Sequence, residues 1–189
     1  MTRLTWLETT RLLRPLEPRD VDDFAEMMAH PEVFAMVGFA TELDGQKRAR
    51  SLEEWRPRIE YRSAQFAWEG FGEWAVTLRV TGAFVGMVGL QFYLLDHGAT
   101  ATPEVELFYG LKREWWGQGI MAEATAAVRR YAFETLKLQR LTSVCFRENE
   151  RSANVMRRAG MTVGLPPGNP TGELLDVLEN PAVSAEPDR

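Results

Sequence analysis

The chain has a single cysteine and only two histidines in 189 residues. Cys145 alone cannot close an internal disulfide, and two histidines with one cysteine fall short of a structural zinc site, so no metal is expected. Long apolar runs are missing as well. No stretch approaches the ~18 residues of a membrane span, and the opening Met1-Thr2-Arg3-Leu4-Thr5-Trp6-Leu7-Glu8 lacks the apolar centre of a secretory signal, which predicts a cytoplasmic protein with no membrane partner. Positive charge is not in excess. A net charge of −5 argues against a nucleic-acid partner and suits a cationic, amine-bearing one. Two nucleotide signatures are also lacking: there is no Gly-Lys-Ser/Thr of a P-loop, and no third glycine with an acidic residue about 20 positions on, as a dinucleotide fingerprint requires.

What remains is an ordinary globular composition, 45% apolar and 26% charged, on a chain long enough for one domain with a full core. Residues 1–180 are expected to form it, and residues 181–189 to be a loose tail. The chain is organised around Pro103 to Ala124. Glu104, Glu106 and Phe108 share one face of an expected strand, while Val105, Leu107 and Tyr109 share the other. A loop with Gly117 and Gly119 follows. From Ile120 the apolar residues Ala124, Ala127, Val128 and Tyr131 recur at helical spacing, so the glycines stand at a helix start. Glycines that admit close approach, and the unpaired N–H groups of a first helical turn, together make a place for a phosphate or pyrophosphate. A tight turn without a ligand is the plainer alternative.

Taken in order, residues 4–15 read as an opening strand broken at Pro15 and residues 19–30 as a helix closed by Pro31. Residues 46–63 read as a helix kinked or divided at Pro57. The aromatic segment Phe66 to Trp74 is expected to open a strand that runs to Arg79. Strand 84–95 and the central strand complete an antiparallel meander, because the connections are too short for crossover helices. A helix over 117–136 and a strand over 140–146 make a parallel, right-handed unit. A short helix at 149–161, a loop at 164–172 and a last strand at 173–179 follow. Cys145, inside a strand and with no histidine nearby in sequence, reads as a core residue. His30 and His97 read as structural, and Trp68, Phe71 and Trp74 as core or as a wall of an acceptor pocket.

These segments carry a resemblance. Glu106-Leu107-Phe108-Tyr109, Trp116-Gly117-Gln118-Gly119, Ala122-Glu123-Ala124, Asn149-x-x-Ser152 and Ala159-Gly160-Met161, in this order and spacing, resemble the GNAT superfamily of acetyl-CoA-dependent N-acetyltransferases. The opening Glu8 to Pro15 is similar to its ribosomal-protein alanine N-acetyltransferase branch, the RimJ/RimL type. The resemblance implies an α/β (α+β) domain with a mixed sheet, an antiparallel meander joined to a parallel pair that splays to hold acetyl-CoA. It places the pyrophosphate on the backbone of Trp116, Gly117, Gln118, Gly119 and Ile120, with Met121 beside them. Phe108, Tyr109, Gly110 and Leu111 would run along the pantetheine arm and meet the thioester carbonyl, and Asn149 and Ser152 would face the cofactor.

Two catalytic residues follow from the same likeness. Glu106, eleven residues before Gly117, is the candidate base for a primary amine that attacks the thioester directly, with a charged residue on a solvated face as the alternative. Ser152 is the candidate to give the leaving thiolate a proton or a hydrogen bond; the plainer reading, a helix-start residue satisfying backbone N–H groups, is compatible with that role. Glu104 is a weaker candidate for holding a substrate cation. Three departures from the superfamily stand out: Glu114 where Gln or Arg is common, Met156 where many members have a tyrosine acid, and a Pro/Gly-rich segment near the end. Arg113 or Lys112 is expected to supply the loop's missing charge. The acceptor is an amine on a small molecule or a protein N-terminus, and a homodimer is compatible with the likeness. A non-catalytic acyl-CoA-binding module is the alternative function.

Overall fold

The computed structural model describes residues 7–8, 12–36, 42–43, 46–47, 49–96, 101–162 and 173–179. Period-two runs rich in β-branched and aromatic residues give its strands. They are β1 Leu7–Glu8, β2 Leu12–Pro15, a separate small pair β3 Glu42–Leu43 and β4 Gln46–Lys47, then β5 Glu73–Thr77, β6 Phe84–Asp96, β7 Ala101–Leu111, β8 Arg140–Phe146 and β9 Glu173–Glu179. The main sheet runs β1-β2-β5-β6-β7-β8-β9. Every neighbouring pair in it is antiparallel except β7 with β8. This is the mixed sheet expected from the sequence, with the parallel pair where the crossover helix demands it.

Helices cover both faces. On one side lie α1 Val21–Ala29, α2 Pro31–Met36 and α3 Leu52–Ala64. The stripe Val21, Phe24, Met27 and Met28 of α1 is buried with Trp55 and Ile59 of α3 against Ala75, Met87 and Phe108 of the sheet. Phe24 and Trp55 meet edge to face with ring centroids 4.9 Å apart. On the other side, Ile120, Ala124, Ala127 and Val128 of α5 (Ile120–Arg130) pack against Trp74, Val88, Leu90 and Leu107, together with Ala153 and Met156 of α6 (Glu150–Arg158). Burying such side chains contributes roughly 1.5–3 kcal/mol each, which is why the two stripes fix each helix against its own face. No described helix is long and apolar enough to cross a membrane.

Several elements differ from the sequence reading. The opening strand is two short strands paired antiparallel, Leu7 opposite Leu13. The helix expected from Gln46 starts only at Leu52. Ser51 caps it by accepting from the Glu54 N–H while Glu54 accepts from the Ser51 N–H at 2.7 Å, and Gln46 and Lys47 belong to a strand pair instead. Pro57 lies within an unbroken helix. As the sixth residue of the helix it leaves the Glu53 carbonyl without its i+4 donor, and the helix continues past it. Pro31 does not close α1 into a loop but opens α2, the position where its fixed φ suits a helix. Phe66–Glu69 is a helical turn, α4, and not the beginning of β5. The helix expected to run to Leu136 is α-helical to Arg130 and widens into a π turn over Tyr131–Thr135. The segments 97–100, 163–172 and 181–189, with their turn, loop and tail, lie outside the described residues.

Candidate functional site

Parallel pairing between β7 and β8 is made at Glu106 with Thr142, and beyond that rung the two strands part. A cavity of about 470 Å³ fills the gap, lined by Phe108 to Leu111 on one strand and Ser143 to Phe146 on the other. The parting cuts through the sheet. Residues from both of its faces therefore reach one space: Glu106 and Phe108 from the α1/α3 side, Tyr109 from the α5/α6 side.

At one end of this cavity stands the glycine loop. Gly117 and Gly119 have φ of +77° and +76°, the left-handed region that side chains with a Cβ disfavour, and Gly119 is the residue from which α5 starts. Nothing lies within 4 Å of a Cβ built on either, so the conformation, rather than crowding by protein, calls for glycine. The Trp116 N–H is spent on the Arg113 carbonyl at 3.3 Å, a correction to its expected role as a donor. Gly117, Gln118, Gly119 and Ile120, with Met121 in the first turn, all line the cavity, and backbone N–H groups at such a helix start suit an anion.

The charge beside this loop is not where the sequence suggested. Lys112 is held by Asp23 at 2.7 Å and Glu26 at 2.6 Å, and Arg113 by Glu32 at 2.8 Å. Arg151 and Arg158 of α6 line the cavity instead. The guanidinium groups of Arg113 and Arg151 both lie over the Trp116 ring, 4.8 and 5.3 Å from its centroid, which carries Arg151 toward the loop. Glu114 is exposed and outside the cavity lining, so its carboxylate does not oppose an anion there. A helix start with free N–H groups, left-handed glycines and two nearby arginines fits a diphosphate. The apolar walls beyond it fit an acyl chain with its linker.

At the inner end, Glu106 is 7% exposed rather than solvated, and it accepts a hydrogen bond from Gln91 at 2.7 Å. Glu104 is buried too, but Arg140 grips it through two nitrogens, one at 2.8 Å, so it is committed to β8 and not to a substrate cation. Across the cavity, the Tyr109 hydroxyl donates to the Ser152 carbonyl at 3.1 Å and lies 3.0 Å from Ser152 Oγ. Burial pushes this phenol above the ordinary tyrosine range, so it stays protonated. Asn149 caps α6 by accepting from the Ser152 N–H at 3.1 Å, and its amide donates to the Met36 carbonyl at 3.2 Å, which ties α6 to the end of α2. Met156 is in the core.

The cavity thus gathers Glu106, Ser152, Asn149, Phe108 to Leu111 and Trp116 to Met121, all singled out in the sequence. The sequence reading missed Gln91, the Tyr109 hydroxyl and Arg151. Tyr109 carried a signal, since a tyrosine on the apolar face of a strand needs a partner for its hydroxyl. Cys145 lines the same cavity although it is buried. Of the aromatic trio proposed as an acceptor wall, Phe71 and Trp74 are core, and Trp68 is exposed with its ring edge-on to Tyr61.

Known proteins share this fold. Residues 11–162 match the family described as the acetyltransferase (GNAT) domain. An uncharacterized N-acetyltransferase, YoaA, of Bacillus subtilis (strain 168) is 26% identical over 155 residues, 82% of this chain and 81% of its own length. An acetyltransferase of Agrobacterium tumefaciens str. C58 superposes with a TM-score of 0.72 at 30% identity, covering 95% of this chain and 96% of that one. The fold is also that of RimL, a ribosomal L7/L12 alpha-N-protein acetyltransferase solved with coenzyme A. Its TM-score is 0.66 at 17% identity, over 92% of this chain and 96% of RimL. The chain belongs to the GNAT acetyltransferase family, whose members take their acetyl group from acetyl-CoA.

Proposed function

We propose that this protein moves the acetyl group of acetyl-CoA to the nitrogen of a primary amine by direct attack on the thioester, as a single N-acetyltransferase domain over residues 1–180 working in the cytoplasm. The observation that carries this reading is the pairing of Glu106–Gln91 and Tyr109–Ser152 on opposite walls of the cavity that holds the glycine loop. Acetyl-CoA supplies the activated acyl group and a thiolate leaving group. The N–H groups of Gly117 to Ile120, with Arg151 and Arg158, hold its diphosphate, and the parted edge of β7 from Phe108 to Leu111 offers backbone donors to the thioester carbonyl as charge collects there.

Glu106 takes the proton that the amine sheds, directly or through one water. An α-amine, with a pKa of about 8, is already partly neutral at pH 7, so a modest base suffices. Gln91 fixes the carboxylate's direction. Ser152, with the Tyr109 hydroxyl against it, gives the departing thiolate a hydrogen bond while its proton comes from solvent, in place of the tyrosine acid whose position Met156 occupies. A module that only bound acyl-CoA would have no use for either pair. The RimJ/RimL likeness belongs to this reading, supported by the segment Glu8 to Pro15 and by the fold of RimL. A homodimer is compatible with it.

The test is acetyl-CoA binding by calorimetry followed by CoA thiol release across a panel of amines. Glu106→Gln should lower kcat by about 100-fold or more and Ser152→Ala by about 10-fold, with acetyl-CoA affinity kept in both. Unchanged turnover in Glu106→Gln would remove it as the base.

A further inference from the structure

A second cavity, of about 750 Å³, opens under α3 against β5 and β6. It shares Gln91 with the first, and Gln91 hydrogen-bonds Glu106, so this one side chain links the second cavity to the candidate base. The sheet contributes Glu73, Gln91 and Phe92 to its lining, and Glu73 belongs to a row of three strands in register. Glu73 lies opposite Gly89, and Gly89 opposite Phe108. Because Gly89 has no side chain, the Glu73 stem and the Phe108 ring close over it; a Cβ there would stand 2.8 Å from Phe108 Cζ and 2.9 Å from Glu73 Cγ.

Glu73, almost wholly buried, pairs with Arg62, whose guanidinium stands 6.0 Å from the centroid of the Phe108 ring. Phe108 is the next residue after Glu106 on the same face of β7. Arg62 is thus a cation fixed over Phe108, two residues along β7 from the base, and Arg58 lies one helical turn before it on α3, lining the same cavity. The acids of the lining are engaged within the protein: Glu54 caps the Ser51 N–H, Glu69 accepts from the Gln65 amide at 2.5 Å, and Glu73 holds Arg62. A guanidinium has five N–H donors in a planar fork, so the cavity offers more to an anion than to a second cation. Exposed Tyr61 and Phe92 add apolar rings to its lining.

Resting on the acetyl-transfer reading above, we propose that this cavity seats the acceptor and that the acceptor is an amine carrying a carboxylate, of the α-amino acid type. Arg62 and Arg58 hold the carboxylate, and the amine is presented past Gln91 to Glu106. The N–C bond forms as the acetyl C–S bond breaks; Glu106 takes the amine's proton and passes it to solvent, the Ser152 hydroxyl hydrogen-bonds the departing thiolate, which takes its proton from solvent, and the acceptor carboxylate is unchanged.

The experiment measures CoA thiol release by the full chain with L-α-amino acids and, side chain for side chain, with their primary amides and the corresponding decarboxylated amines, alongside short peptides. The acids should show kcat/KM about 10- to 100-fold above the amides and amines, the range expected when a hydrogen-bonded charge is removed. Arg58→Gln should raise KM for the acids about tenfold with little change in kcat, and leave KM for the amides where it was; calorimetric acetyl-CoA binding by the same variant shows that it is folded. Amides, amines or peptides turned over as well as the acids would overturn this inference and leave acetyl transfer standing. Protein that binds acetyl-CoA yet acetylates no amine in any series would overturn the transfer reading, and this one with it.

Discussion

Glu106 and Tyr109 point to opposite faces of one strand and still line one cavity, because the sheet opens directly after Glu106. Their hydroxyl and carboxylate can therefore act on the two ends of a single bond exchange without touching each other. Tyr109→Phe should lower kcat several-fold while acetyl-CoA affinity holds, since Ser152 remains to meet the thiolate; rapid-quench single turnovers would measure the chemical step. Burial raises the Tyr109 phenol, so in the folded protein it keeps its proton past the ordinary tyrosine value of about 10, whereas in the unfolded chain it loses it there. The stability this group contributes is therefore present below about pH 10 and is lost above it, and Tyr109→Phe should flatten the alkaline fall in unfolding free energy. Burial likewise raises the Cys145 thiol, leaving less thiolate at pH 8 than a free cysteine has. Iodoacetamide should label Cys145 more slowly than free cysteine, and more slowly still with CoA present, because the residue lines the cavity. Labelling indifferent to CoA would place CoA elsewhere.

At the level of elements, Gly89 shows how a strand can be shaped by what it omits. Gly89→Ala would drive a methyl group into Phe108 and Glu73 at distances real Cβ atoms do not reach, and should destabilise the fold by about 1–3 kcal/mol in urea unfolding. β7 and α5 were legible in the sequence because period two passes into period 3.6 across two glycines, and the left-handed φ of both glycines agrees with that reading. α4 was not. Phe66-Ala67-Trp68-Glu69 is too short to display a helical period, and its aromatic content favours a strand; the left-handed Gly70 that ends it is the signal that told otherwise. The burial of Glu104 and Glu106 was equally hidden. Their partners, Arg140 and Gln91, are 36 and 15 residues away in sequence and adjacent only once the strands align.

At the scale of the molecule, each cavity has its own helical layer: α5 and α6 flank the glycine loop, while α3 roofs the second cavity. A ligand that binds only the folded chain adds RT ln(1 + [L]/Kd) to its stability, about 2.7 kcal/mol at a hundredfold excess over Kd. Acetyl-CoA should accordingly raise the melting temperature by several degrees, read by scanning calorimetry.

The parted strands have a consequence for backbone exchange with solvent. Past the Glu106–Thr142 rung, β7 stays fully paired to β6 on one side, and on its other side its amides look into the cleft. An amide-bearing linker laid along that side completes the ladder as an added strand would. Deuterium uptake at residues 107–111 and 143–146 should then slow when CoA binds, alternating along each strand with the direction its N–H groups face, while β2 and β5 keep their rates.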